Sequence, residues 1–188
     1  MRIDRSRKRI RTELIILETW DLYDQDRNLT GETGVRGEPL PKGRYHLVVH
    51  VCIFNSKGEM LIQQRQPFKK GWPNLWDVSV GGSACQGENS TLAAERETLE
   101  ELGLQLDLSG QRPFLTICFE GGFDDIYLIQ QEVEINLLHL QEEEVQAVQW
   151  ATLEQVEQMM TEGVFIPYHK GLLPLLFAMH RQRGAIRL

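Results

Sequence analysis

Cysteine is scarce in this chain of 188 residues: there are three, Cys52, Cys85 and Cys118, and no Cys-x-x-Cys pair. A zinc knuckle built on paired thiolates is thereby excluded. An odd, dispersed set argues for reduced thiols in a cytoplasm, each serving as a small apolar side chain. Long apolar runs are also missing. The longest cluster, Leu172 to Met179, contains Pro174 and falls far short of the roughly 18–20 residues of a membrane helix. The basic start lacks the apolar stretch that follows in a secretory signal. No internal repeat or low-complexity tract is visible.

Excess positive charge is lacking too: 20 basic residues face 27 acidic ones, a net charge of −7. Such a chain repels nucleic acid, so a nucleic-acid-coating role is disfavoured. The charge is uneven. Residues 1–11 form a basic arm with six basic residues and one acid, leaving 14 basic and 26 acidic residues, or −12, for the rest. The arm reads as solvated or as anion-binding. What remains is an ordinary globular mix, 41% hydrophobic and 25% charged. The length fits one domain, 1–188, with a core that needs no disulfide or metal staples.

Residues 12–43 read as an N-terminal β-hairpin followed by a Gly- and Pro-rich loop. Strands are expected over 46–54, 60–65, 75–80, 113–120, 126–134 and 145–150. Helices are expected from Asn89 or Ser90 to Gly103, over 153–160 and over 171–181. The fold class is α+β, a mixed sheet packed by helices.

The informative segment is Gly82 to Leu104, GSACQGENSTLAAERETLEELGL. A short side-chain oxygen at Asn89 or Ser90 can cap its helix, and Gly103 supplies the left-handed stop. At 100° per residue, Glu97, Glu100 and Glu101 fall within roughly 100° of one another. Leu92 and Leu99 project oppositely and are expected in the core. The acids crowd the last two turns, where the helix dipole is negative and each costs about 0.3–1 kcal/mol. Glu97 and Glu101 are also a like-charge pair at i, i+4. A solvated acidic face is the bland reading. A hard divalent cation, Mg²⁺ or Mn²⁺, would remove the conflict.

The segment resembles the Nudix box: Gly, five residues, Glu, seven residues, Arg-Glu, two residues, Glu-Glu, one residue, Gly and an aliphatic. The matching residues are Gly82, Glu88, Arg96, Glu97, Glu100, Glu101, Gly103 and Leu104. Seven fixed residues match by chance in a chain of this length less than about once in 10⁶. The resemblance implies the Nudix α/β/α sandwich and Mg²⁺-dependent hydrolysis of a diphosphate linkage, usually in a nucleoside diphosphate derivative. It implies Glu97, Glu100 and Glu101 as metal ligands, with the Gly82 carbonyl as a further one. Glu97 and Glu100 are placed with Arg96 in the catalytic machinery, Arg96 orienting Glu97. The implied partner is a small-molecule diphosphate; a homodimer stays open.

From Leu22 to Gly103 a weaker likeness extends to the Nudix branch that holds isopentenyl diphosphate isomerase. It rests on Leu22-Tyr23-Asp24, Arg44-Tyr45-His46, Phe54-Asn55 with Gly58, Gln63-Gln64-Arg65, Lys69-Lys70 and Trp72-Pro73-Asn74-Leu75-Trp76. That isomerase needs a Cys, and two positions on a metal-binding His, where this chain has Gly81 and Ser83. Cys85 is displaced by four residues, and acid–base geometry tolerates little displacement. The departure points to a hydrolase on an isomerase-like frame, with isomerisation or a non-catalytic nucleotide-binding module as alternatives.

Arg65, Lys69 and Lys70 are candidate substrate-binding residues, Arg as a fork and Lys as a point charge. Phe68, Trp72 and Trp76 would stack a base or pack in the core. His46, which shares a strand face with His50, matches an isomerase metal position, but a packed histidine is the simpler reading. Outside the box, Glu144 in Glu142-Glu143-Glu144 is the preferred further carboxylate, as base or ligand, and Glu120 is second.

Overall fold

The computed structural model describes residues 18–186. The basic arm 1–11 and the first residues of the expected hairpin, 12–17, lie outside the described residues. β1 (Thr19–Tyr23) and β2 (Leu29–Val35) form that hairpin as a separate antiparallel pair.

Among the described residues the main sheet has seven strands and is built on β3 (His46–Phe54). β8 (Gly122–Gln130) runs parallel to β3 along its full length, from His46 opposite Gly122 to Phe54 opposite Gln130. β6 (Val80–Ser83) lies antiparallel on the other edge of β3, placing Gly82 opposite Val49. β4 (Met60–Arg65) follows at the far end of β3 and carries β5 (Trp76–Asp77) and β9 (Val145–Ala151). β7 (Leu115–Phe119) completes the sheet against β8.

Alternation along β3 explains the layers, because successive side chains point to opposite faces. Leu47, Val49, Val51 and Ile53 pack with Ala93, Ala94 and Leu102 of α1 (Ser90–Leu102). Cys52 and Phe54 pack with Val156 of α2 (Leu153–Thr161) and with Leu173, Leu176 and Phe177 of α3 (Leu172–Met179). The result is the expected α+β sandwich, a mixed sheet between helical layers. No helix among the described residues is long and apolar enough to cross a membrane.

Several expectations are corrected. Leu92 and Leu99 are half-exposed, at 49% and 52%. The face of α1 that docks instead carries Ala93, Ala94, Thr98, Glu101 and Leu102, because two adjacent alanines let the helix approach the sheet closely. The strand expected at 126–134 is β8, four residues earlier. Asp124 and Asp125 disguise its start, yet each has a polar partner: His50 on β3 for Asp124, and Thr116 on β7 with Arg27 of the hairpin turn for Asp125. The strand expected at 75–80 is two short ones, broken at Val78 and Ser79, where the Ser79 hydroxyl bonds the Ile53 amide. Of the three thiols only Cys52 is buried; Cys85 is half-buried and Cys118 exposed.

Candidate active site

α1 begins where Asn89 Oδ1 accepts the Leu92 amide at 2.9 Å and ends at Gly103, whose φ of 66° is left-handed. No basic residue stands in its last turn, so its negative end is uncompensated along the helix itself. The loop before it is closed by Glu88, which accepts the Cys85 amide at 2.8 Å.

Arg96 organises this end of the fold. Its Nε and Nη2 donate to the two oxygens of Glu88 at 2.7 and 2.9 Å, a bidentate pair. Nη2 also donates to the Ser83 carbonyl at 3.0 Å. Nη1 lies 3.0 Å from Glu97 Oε1 and 2.9 Å from Glu100 Oε2. One guanidinium thus ties the box loop, β6 and two box glutamates together.

Beside it is a cavity of about 270 Å³ lined by Gly82, Glu97, Glu100, Glu101 and Glu144, with Glu18 and Arg36 at its edge. Its lining carries five carboxyl groups and two guanidinium groups. Burial pushes Glu97 up to about 7, against the pull of Arg96. Burial, then the neighbouring Glu97, pushes Glu101 up to about 8, although Gln63 Nε2 donates to it at 2.8 Å. Gly82 permits this crowding: a Cβ there would stand 2.1 Å from the Glu97 carboxyl carbon.

Among the described residues, no three His, Cys, Asp or Glu side chains converge as they stand into a set that could hold a metal ion. Arg96 is the physical reason, since it holds Glu97 and Glu100 against its own Nη1 and leaves Glu100 about half-exposed. The donor chemistry nevertheless fits a hard divalent cation. Glu101 is buried with Glu97 half-buried beside it, both holding their protons more tightly than an exposed carboxyl group would, and the Gly82 backbone lies against Glu97. A cation would offset both the burial and the repulsion.

Glu144 is in the cavity wall, and its carboxylate is ion-paired with Lys69. Glu142 and Glu143 are exposed, and Glu120 is exposed in the β7–β8 turn, away from the cavity. Arg65 is turned elsewhere: its Nε donates to the Gly71 carbonyl at 3.1 Å, and Nη1 lies 3.7 Å from buried Asp77. Lys70 is exposed. Phe68 and Trp72 are exposed, while Trp76 packs into the α2–α3 side of the core. His46 stacks on Trp20 with ring centroids 4.3 Å apart. His50 pairs with Asp124 at 2.8 Å and covers Gly81, where a Cβ would stand 2.8 Å from its ring.

The sequence reading missed three contributors. Gln63 shows as part of a Gln-Gln-Arg run in β4, but its partner Glu101 lies 38 residues away. Glu18 and Arg36 come from the two ends of the hairpin and pair at 2.6 Å. The hairpin reaches the box because the Gln86 amide donates to the Thr19 carbonyl at 2.8 Å and the Gly87 amide to Asp21 Oδ2 at 2.7 Å. No local signal in the sequence announces that docking.

Residues 44–170 match the family model of the NUDIX domain. An uncharacterised Nudix hydrolase of Listeria monocytogenes is 53% identical over 152 residues, covering 81% of this chain and 90% of that one. An isopentenyl-diphosphate Delta-isomerase of Salmonella typhi is 30% identical over 133 residues, covering 65% and 72%. A crystal structure from Deinococcus radiodurans superposes with a TM-score of 0.68 at 25% identity, covering 87% of this chain and all of the other. The box geometry on α1 and these likenesses lead to one conclusion: the chain belongs to the Nudix family and is a hydrolase.

Proposed function

We propose that the protein hydrolyses the diphosphate linkage of a nucleoside diphosphate derivative or similar organic diphosphate, with Mg²⁺, or Mn²⁺ in its place. The observation that carries this reading is the pairing of half-buried Glu97 with buried Glu101 at the negative end of α1, with Glu97 pressed against Gly82. Glu97, Glu100 and Glu101, with the Gly82 carbonyl, would hold the cation. When bound, it neutralises phosphate oxygens and lowers the pKa of the attacking water.

The rest falls to the chain's own groups. Arg96 fixes Glu97 and Glu100 and keeps the loop at Ser83 in place. Gln63 presents an amide to Glu101 and so sets its orientation. Arg36 stands where a guanidinium can fork onto a phosphate oxygen, and Lys69 offers a point charge beside Glu144. Glu144 accepts the proton of the attacking water. Arg65 and Lys70 are not among the residues that line the cavity. Three free thiols accord with a reducing cytoplasm.

The test is a screen of the purified protein against nucleoside diphosphate derivatives and isoprenoid diphosphates with Mg²⁺. Glu97→Gln and Glu101→Gln should each lower turnover by at least about 10²-fold with the fold kept. Undiminished hydrolysis in excess EDTA, or in both variants, defeats the proposal.

A further inference from the structure

A second cavity, of about 630 Å³, opens at the opposite end of α1. It lies about 10 Å along the helix axis from Glu97. Three arginines reach it from separate parts of the chain: Arg27 from the hairpin turn, Arg112 from the segment before β7, and Arg183 from the segment after α3. Among the described residues the one acid on its wall, Asp125, is fully buried and already satisfied. Arg27 donates to both of its oxygens, and the Thr116 hydroxyl donates to Oδ1 at 2.6 Å.

Arg27 and Asp125 therefore cancel, and Arg112 and Arg183 add positive charge to a chain of net −7. Arg183 is held in place. Its guanidinium carbon lies 4.0 Å from the centre of the Phe114 ring, and Nη1 donates to the Arg112 carbonyl at 2.9 Å. Its other N–H groups bond nothing among the described residues. Deeper in, the hydroxyls of Ser90, Thr91 and Tyr127 share two contacts, at 2.8 and 3.4 Å. Three hydroxyl protons against two contacts leave one with no acceptor in that cluster. The wall is rich in donors and its single carboxylate is spent, which is the complement of a polyvalent anion. Guanidinium forks arriving from different directions suit tetrahedral oxygens better than a planar carboxylate.

We propose that this cavity is a second anion site, taking the phosphate of a small molecule on Arg112, Arg183 and the Ser90 and Thr91 hydroxyls. It does not depend on the reading of the box cavity, and it is tested without divalent cations.

The experiment is isothermal titration of the whole protein with inorganic phosphate in EDTA, repeated with glycerol 3-phosphate. Wild type should bind at least one of them. The double variant Arg112→Gln/Arg183→Gln should bind about 10-fold more weakly or worse, since losing about 1.4 kcal/mol of contact suffices for that. Both side chains are exposed, so its melting temperature without ligand should match wild type. Arg36→Gln, at the box cavity, should bind as wild type does. Binding of glycerol 3-phosphate in competition with phosphate identifies an organic phosphomonoester as the ligand; binding of phosphate alone identifies the free anion. The proposal is overturned if wild type binds neither, if the double variant binds equally well, or if binding is lost only in Arg36→Gln.

Discussion

Glu97 lies against Gly82 so closely that a Cβ at position 82 would stand 2.1 Å from its carboxyl carbon. The conflicting atoms are the far end of a flexible side chain, so the fold can yield by swinging Glu97 away. The site cannot, because that carboxyl group is half of the Glu97–Glu101 pair. Gly82→Ala should therefore keep the melting temperature within a few degrees of wild type while hydrolysis falls at least about 10²-fold, as for a lost transition-state contact. Circular dichroism melts and steady-state assays on one preparation check both halves. Full activity in the alanine variant would mean that Glu97 works from another position.

The Glu97–Glu101 pair also fixes the sign of a pH dependence. Glu97 and Glu101 sit at about 7 and about 8, above their ordinary 4.5, chiefly because burial disfavours their charge. The folded state thus keeps protons that the unfolded chain releases. Their contribution to stability is fully present below about 4.5 and is lost as pH rises through 7 to 8. The metal-free melting temperature should therefore drop by several degrees or more between pH 5 and 8. Glu101→Gln should flatten that slope and melt no lower than wild type at pH 8. Excess Mg²⁺ should flatten it in wild type, since a cation replaces the protons. A wild-type slope unchanged in Glu101→Gln would refute the assignment.

Hydrolysis and isomerisation separate at Gly81. His50, held by Asp124, fills the space a side chain there would need. The protein should produce no dimethylallyl diphosphate from isopentenyl diphosphate. Gly81→Cys should not confer that activity, because its sulfur would have to displace the imidazole. Cys85→Ala should leave hydrolysis largely intact. Isomer formation by wild type that disappears in Cys85→Ala would reverse this.

What could be read from the sequence was local. Asn89, the alanines and Gly103 mark α1 within a single segment, and the spacing of its glutamates needs no knowledge of the rest. Which face of α1 docks was not readable, because Leu92 and Leu99 are greasier than Ala93 and Ala94. Close approach of small side chains outweighed hydrophobicity, and Glu101 was carried into the interior with them. The start of β8 was hidden for a related reason. Asp124 and Asp125 look like turn residues until His50 and Arg27 are in place, 74 and 98 residues away. Arg36 and Glu18 were invisible at the site because only the docked hairpin brings them there.

The remaining question in the cavity is where the water's proton goes. Glu residues that coordinate a cation lose basicity, so a separate carboxylate is needed within reach. Of the three adjacent acids Glu142 to Glu144, Glu142 and Glu143 face solvent and Glu144 alone lines the cavity, ion-paired with Lys69. Lys69 would hold the carboxylate in position and transfer its charge to an arriving phosphate, freeing Glu144 when substrate is present. Glu144→Gln should then lower kcat by about 10²–10⁴-fold with little change in KM, the usual loss for a positioned acid–base group. Lys69→Ala should do the reverse, raising KM more than it lowers kcat. Glu142→Gln should be nearly silent, and so should Glu120→Gln, whose side chain lies away from the cavity. Steady-state kinetics of the four variants on one diphosphate substrate decide the matter. If Glu144→Gln keeps full kcat while Glu120→Gln loses it, the base stands at the β7–β8 turn; if neither matters, the box glutamates themselves take the proton.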